Sequence, residues 1–159
     1  MPFREPPRRL QPSFRPRLEM LEDRCLLNTD PVTVGGDSGM AGQLRQVLAG
    51  ASAGDTIVFQ LATPTTITLQ SGGGFGTLIL NKNITIQGPG ANLLTVSGPA
   101  TNSFSIFAVN AGISATISGL TISAGFGSRG TGSVNGGGIF NAGTLTLQNS
   151  TISGNSSNK

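Results

Sequence analysis

The stretch GGGIFNAGTLTLQNSTISGN, Gly136 to Asn155, has no ionisable side chain and sets an apolar residue at every second position of TLTL. Such alternation over four to six residues predicts a strand with one buried face. Thr and Ser fill the other positions, where a β-branched side chain supports extended backbone without adding much apolar surface. Gly and Asn stand between the alternating runs, as they do where a chain turns sharply. Strands this short and this weakly apolar cannot bury a core alone, so they need neighbours of the same kind.

Those neighbours are present upstream. IVFQ from Ile57, ITIQG from Ile84, ATISG from Ala115 and LTLQN from Leu145 form one set at intervals of about 30 residues. ITLQ from Ile67, LTVSG from Leu94, LTISAG from Leu120 and STISGN from Ser150 form a second. A third set ends in asparagine: LILN at Asn81, FAVN at Asn110 and IFN at Asn141. Three short strands per period, with no helix between them, predict parallel strands wound into a coil and stacked on themselves. The expected fold is all-β, a right-handed parallel β-helix of three to four coils. Each strand then pairs with its equivalents one coil above and below, about 4.8 Å away. Asn81, Asn110 and Asn141 are expected to be structural corner residues, aligned so that they can stack, because Asn-Ala-Gly recurs at 110–112 and 141–143.

Outside the repeats the composition changes. Residues 1–30 are rich in Pro and Arg and are expected to be a disordered leader. Residues 31–55 hold a linker and, in GMAGQLRQVLAGASA, Leu44, Val47 and Leu48 at helical spacing. A short helix there would cap the apolar end of the stack, and residues 56–159 would be the β-helix, truncated at its C-terminal end. All Asp and Glu lie at or before Asp55, and Lys82, Arg129 and Lys159 are the only charges from Thr56 onward. The single Cys25 excludes an internal disulfide. No apolar run is long enough for a transmembrane helix, and no ordinary signal-peptide core is present.

RPRLEMLEDRCLL, Arg15 to Leu27, resembles the short L-E-x-L-E-x-R leader of surface and secreted proteins of planctomycete bacteria, through Leu18, Glu19, Leu21, Glu22 and Arg24. The strands and corners of residues 39–159 resemble right-handed parallel β-helix repeat proteins of bacterial surfaces. The helix, GDTIVFQ and NITIQGPGANLLTVSG are similar to the opening of a subgroup with a C-terminal choice-of-anchor domain. GGGI at Gly136–Ile139 and FAVN at Phe107–Asn110 are similar to the GGA-I and F-x-x-N repeats of polymorphic outer-membrane proteins, GGGI differing at its third place. These resemblances imply a secreted or surface-displayed protein, usually of a longer chain.

Parallel β-helices also carry polysaccharide lyases and hydrolases. Glycoside hydrolysis ordinarily needs two carboxylates flanking the bond, and calcium-assisted chemistry needs acidic oxygen ligands. The repeats contain neither, and the chain has no His. Gly125 to Gly130 matches G-x-G-x-x-G but lacks the following helix and acid of a dinucleotide site. The expectation is therefore a non-enzymatic structural or adhesion protein, with no catalytic, cofactor-binding or metal residues and no nucleic-acid partner. Extracellular polysaccharide or cell-envelope components are the expected contacts, with end-to-end self-association through the uncapped last coil. The alternative is the N-terminal part of a carbohydrate-active β-helix enzyme whose active site lies on other coils.

Overall fold

The computed structural model of the chain describes Met1 and residues 28–99, 104–127 and 136–157. The expectations for residues 2–27, including the disordered leader, its L-E-x-L-E-x-R motif and Cys25, lie outside the described residues, as do Arg129 and Lys159. In chain order the described residues form β1 (Thr29–Val32), α1 (Leu44–Gly50), β2 (Thr56–Phe59), β3 (Thr65–Thr68), β4 (Leu78–Leu80), β5 (Ile84–Gln87), β6 (Leu94–Ser97) and β7 (Phe107–Val109). They continue with β8 (Ser114–Ser118), β9 (Thr121–Ser123), β10 (Phe126–Gly127), β11 (Ile139–Asn141), β12 (Thr144–Gln148), β13 (Thr151–Ser153) and β14 (Ser156–Ser157).

These strands build three walls and a short accessory pair, all of parallel strands. The first wall runs β1-β2-β5-β8-β12, the second β3-β6-β9-β13 and the third β4-β7-β11, while β10 pairs with β14. From β2 onward, strands adjacent in sequence belong to different walls, and strands one period apart pair. The chain is a parallel β-solenoid of four stacked coils.

Alternation explains what fills it. Ile57, Ile86 and Ile117 are in register along the first wall and fully buried, as are Ile67, Val96 and Ile122 along the second. Leu78 and Leu80 meet Phe107 and Val109 in the third. In the first two walls the registers differ from the repeat alignment in two places. Ile57 pairs with Ile86 rather than Ile84, and Ile67 with Val96 rather than Leu94, so the first coil is displaced by two residues in both walls. An even displacement leaves every side chain on its original face, and the hydrophobic pattern alone does not distinguish the two registers.

In the last two coils the turn from the first wall to the second is made by a single left-handed residue, Gly119 at φ 63° and Asn149 at φ 49°. Ala124 at φ 51° and Gly154 at φ 61° perform the same task after β9 and β13. One positive-φ residue between two strands redirects the chain at the smallest cost in length, and Gly and Asn enter that region most readily.

The leading end is closed, and more fully than the helix alone would close it. β1 lies along β2, a strand in the segment read as leader and linker. Leu44 and Leu48 of α1 and Val32 of β1 join the core. Asp55 ties this turn down: its carboxylate accepts the Ser52 amide at 2.7 Å and the Asn28 amide at 3.0 Å. The other end displays the core in cross-section. Leu147 and Ile152 are 41% and 48% exposed, whereas their register partners Ile117 and Ile122 are fully buried.

Candidate functional site

The corner asparagines do not form one aligned set. Asn81 and Asn110 directly follow the paired residues Leu80 and Val109, so these two occupy equivalent corners. Asn141 instead pairs with Val109, one position earlier, and its Oδ1 accepts the Gly143 amide at 3.1 Å. The connection from Asn141 to β12 is one residue shorter than that from Asn110 to β8, and strand pairing overrides the matching tripeptides. Among the described residues, the asparagines that bridge coils are others. The Ser114 amide donates to Asn83 Oδ1 at 2.9 Å, and Asn155 accepts the Gly125 amide at 2.7 Å while donating to Ile122 O at 3.0 Å. Asn83 and Asn155 directly precede β5 and β14, whereas Asn81 and Asn110 directly follow β4 and β7, and that difference of side is the sequence signal that could have identified them.

Between α1 and β4 lies a groove of about 360 Å³, lined by Arg45, Ala49, Thr77, Ile79, Asn81 and Lys82 among others. Both of its cations are engaged. Arg45 donates to both oxygens of Asp37 at 2.7 Å and to Gly76 O at 2.6 Å, with its guanidinium 5.6 Å above the Phe75 ring. Asp37 is itself buried and also accepts the Gln70 amide at 3.0 Å. Lys82 Nζ donates to Ala49 O at 3.2 Å and Ala51 O at 2.5 Å, at the negative end of α1. These contacts fasten the helix to the first coil, and they leave the groove without an uncommitted positive charge.

Asp30 and Asp55 form a carboxyl pair near the leading end. Hydrogen bonds from the Ser52 and Asn28 amides lower the Asp55 pKa below its ordinary 3.8 despite burial, with Lys82 adding a smaller pull. Burial and the neighbouring Asp55 charge raise that of Asp30. Asp30 Oδ2 is buried without a hydrogen-bond partner, and Asn28 Nδ2 donates to its other oxygen at 2.9 Å. Opposite shifts in adjacent carboxyls resemble an acid–base arrangement. Here, however, the Asp55 oxygens are spent on backbone amides that hold the turn. Among the described residues, no group of three or more His, Cys, Asp or Glu side chains could hold a metal.

The larger feature is the outward face of the walls. Along the first wall Thr29, Thr56, Thr85, Thr116 and Thr146 are in register across five strands. The next outward column of that wall is mixed: Pro31, Val58, Gln87, Ser118 and Gln148. Along the second wall, Thr66, Thr95, Thr121 and Thr151 form one column, and Thr68, Ser97, Ser123 and Ser153 form the next. The third wall sets Ile79, Ala108 and Phe140 in register instead, with Ile79 exposed and Ala108 buried. The apolar alternation determines both faces at once, because fixing the inward residues in register aligns the outward ones.

Comparison with known proteins finds no matching family model, no matching curated protein and no matching solved structure. Among the described residues, no helix is long and apolar enough to cross a membrane.

Proposed function

We propose that the chain is a non-enzymatic structural or adhesion module of a secreted or surface-displayed protein. It would contact extracellular polysaccharide or cell-envelope material along a wall rather than within a pocket. The observation that carries this reading is the first wall, where an unbroken threonine column stands beside the amides of Gln87 and Gln148. Hydroxyls and amides both donate and accept, which suits the alternating donors and acceptors of a neutral sugar chain. Engagement of Arg45 and Lys82 in holding α1, and the absence of Asp and Glu after Asp55, support binding without turnover. The edge of β12 and β13, with Leu147 and Ile152 exposed, supports self-association of the isolated chain at that end.

The test is co-sedimentation of the purified chain with insoluble polysaccharides and envelope fractions, with release of soluble sugar measured in the same tubes. Retention without sugar release, weakened by Gln87→Ala, is the expected result. Sugar release would establish a carbohydrate-active enzyme instead. Detection of a tagged chain only inside intact cells would refute secretion or surface display.

A further inference from the structure

We propose that the outward face of the second wall binds the surface of ice. Two columns of hydroxyls run side by side there, Thr66, Thr95, Thr121 and Thr151 beside Thr68, Ser97, Ser123 and Ser153, across four hydrogen-bonded strands. Parallel pairing places successive hydroxyls of a column roughly 4.8 Å apart, and the two columns are separated by roughly 6.6 Å along each strand. The hydroxyls therefore form a two-dimensional lattice of polar groups, with repeats close to those of the oxygen rows on a face of ice. A fixed lattice of hydroxyls can hold successive waters in register, whereas scattered polar groups cannot.

Three further observations favour an ordered water lattice as the occupant. No residue of β3, β6, β9 or β13 is charged. A charge would gather water radially around itself and break the lattice, so a neutral face is the electrostatic complement of a neutral crystal. Two of the hydroxyls are also held in place, since Thr121 Oγ1 donates to Ala91 O at 2.6 Å and Ser97 Oγ donates to Gly98 O at 3.1 Å. Their oxygens retain accepting capacity, and their rotamers are set before contact. The strands of this wall also carry no side-chain amide and no aromatic residue, so the face lacks the Gln87 and Gln148 amides that the first wall offers a sugar chain. The first wall lacks the second regular column and the third wall is apolar, so the inference is confined to one face.

The experiment follows ice-crystal growth and shape in frozen buffer containing the full chain, with Thr95→Lys on the second wall and Thr85→Lys on the first. Both substitutions are outward and on the same coil. Circular dichroism melting establishes that each variant is folded, and Thr68→Lys replaces Thr95→Lys should the latter fail to fold. The expected result is faceted crystals and arrested recrystallisation with the parent chain and Thr85→Lys, and loss of both effects with Thr95→Lys. Unimpeded growth with the folded parent chain would overturn the proposal, as would equal loss from Thr85→Lys. Binding of the parent chain to insoluble cellulose that Thr95→Lys abolishes, with ice growth unaffected by either protein, would assign the face to a polysaccharide instead.

Discussion

Gly119→Ala and Gly112→Ala separate two reasons for a glycine at a coil corner. Both glycines have positive φ, 63° and 78° respectively. A Cβ on Gly112 meets nothing within 4 Å, whereas one on Gly119 falls 2.4 Å from Gly88 O and 3.1 Å from Gly88 C. For Gly112→Ala only the left-handed strain of about 1–2 kcal/mol applies. It is partly offset by about 0.4–1 kcal/mol from the stiffer unfolded chain, leaving a loss near 1 kcal/mol. Gly119→Ala carries the same strain and must also move the backbone of the coil above. That coil is held by the Gly88 and Gly90 amides, which donate to Ser118 O and Gly119 O, each at 2.8 Å. Overpacking of about 1–3 kcal/mol and weakening of two hydrogen bonds worth about 1 kcal/mol each bring the total to about 3–5 kcal/mol. Urea denaturation followed by circular dichroism gives both values. Equal losses in the two variants would refute the close approach of successive coils at this corner.

Asp37→Ala leaves the Arg45 guanidinium and the Gln70 amide without their buried acceptor, and a loss of about 3 kcal/mol is expected in the same urea titration. The carboxyl pair gives opposite pH dependences. The lowered Asp55 pKa contributes stability that is full above 3.8 and lost as pH falls through its folded value, so Asp55→Asn should lower the melting temperature at neutral pH and much less in acid. The raised Asp30 pKa contributes below 3.8 and loses its effect as pH rises through the folded value, so Asp30→Asn should raise the melting temperature at neutral pH. Leu147→Thr with Ile152→Thr should shift sedimentation of the concentrated chain toward monomer, if the exposed edge of β12 and β13 drives association.

The fold was legible because the period-2 pattern and the 30-residue period are both carried by single residues such as Ile86, Ile117 and Ile122, whose burial requires one orientation. Exact register was less legible. Ile57 could stand beside Ile84 or Ile86 without changing face, and only the pairing itself selects Ile86. Asn141 was misaligned because a repeated Asn-Ala-Gly gives no measure of the connection behind it. β1 was hidden in TDPV, which offers one buried side chain, Val32, and a proline that suits an edge strand. The groove contacts were not legible, since Arg45 and Asp37 meet Gly76 and Gln70 only after the chain has turned back on itself. The hydroxyl columns were present in the repeats as Thr and Ser, but their alignment exists only once strands pair in register.

Backbone nuclear Overhauser contacts in the isotopically labelled chain test the parallel stacking most directly. Stacked coils predict contacts from Val96 to both Ile67 and Ile122, and from Thr116 to both Thr85 and Thr146, with residues joined across about one period. Antiparallel contacts between strands adjacent in sequence, such as β8 with β9 or β12 with β13, would contradict the solenoid and dissolve the hydroxyl columns with it.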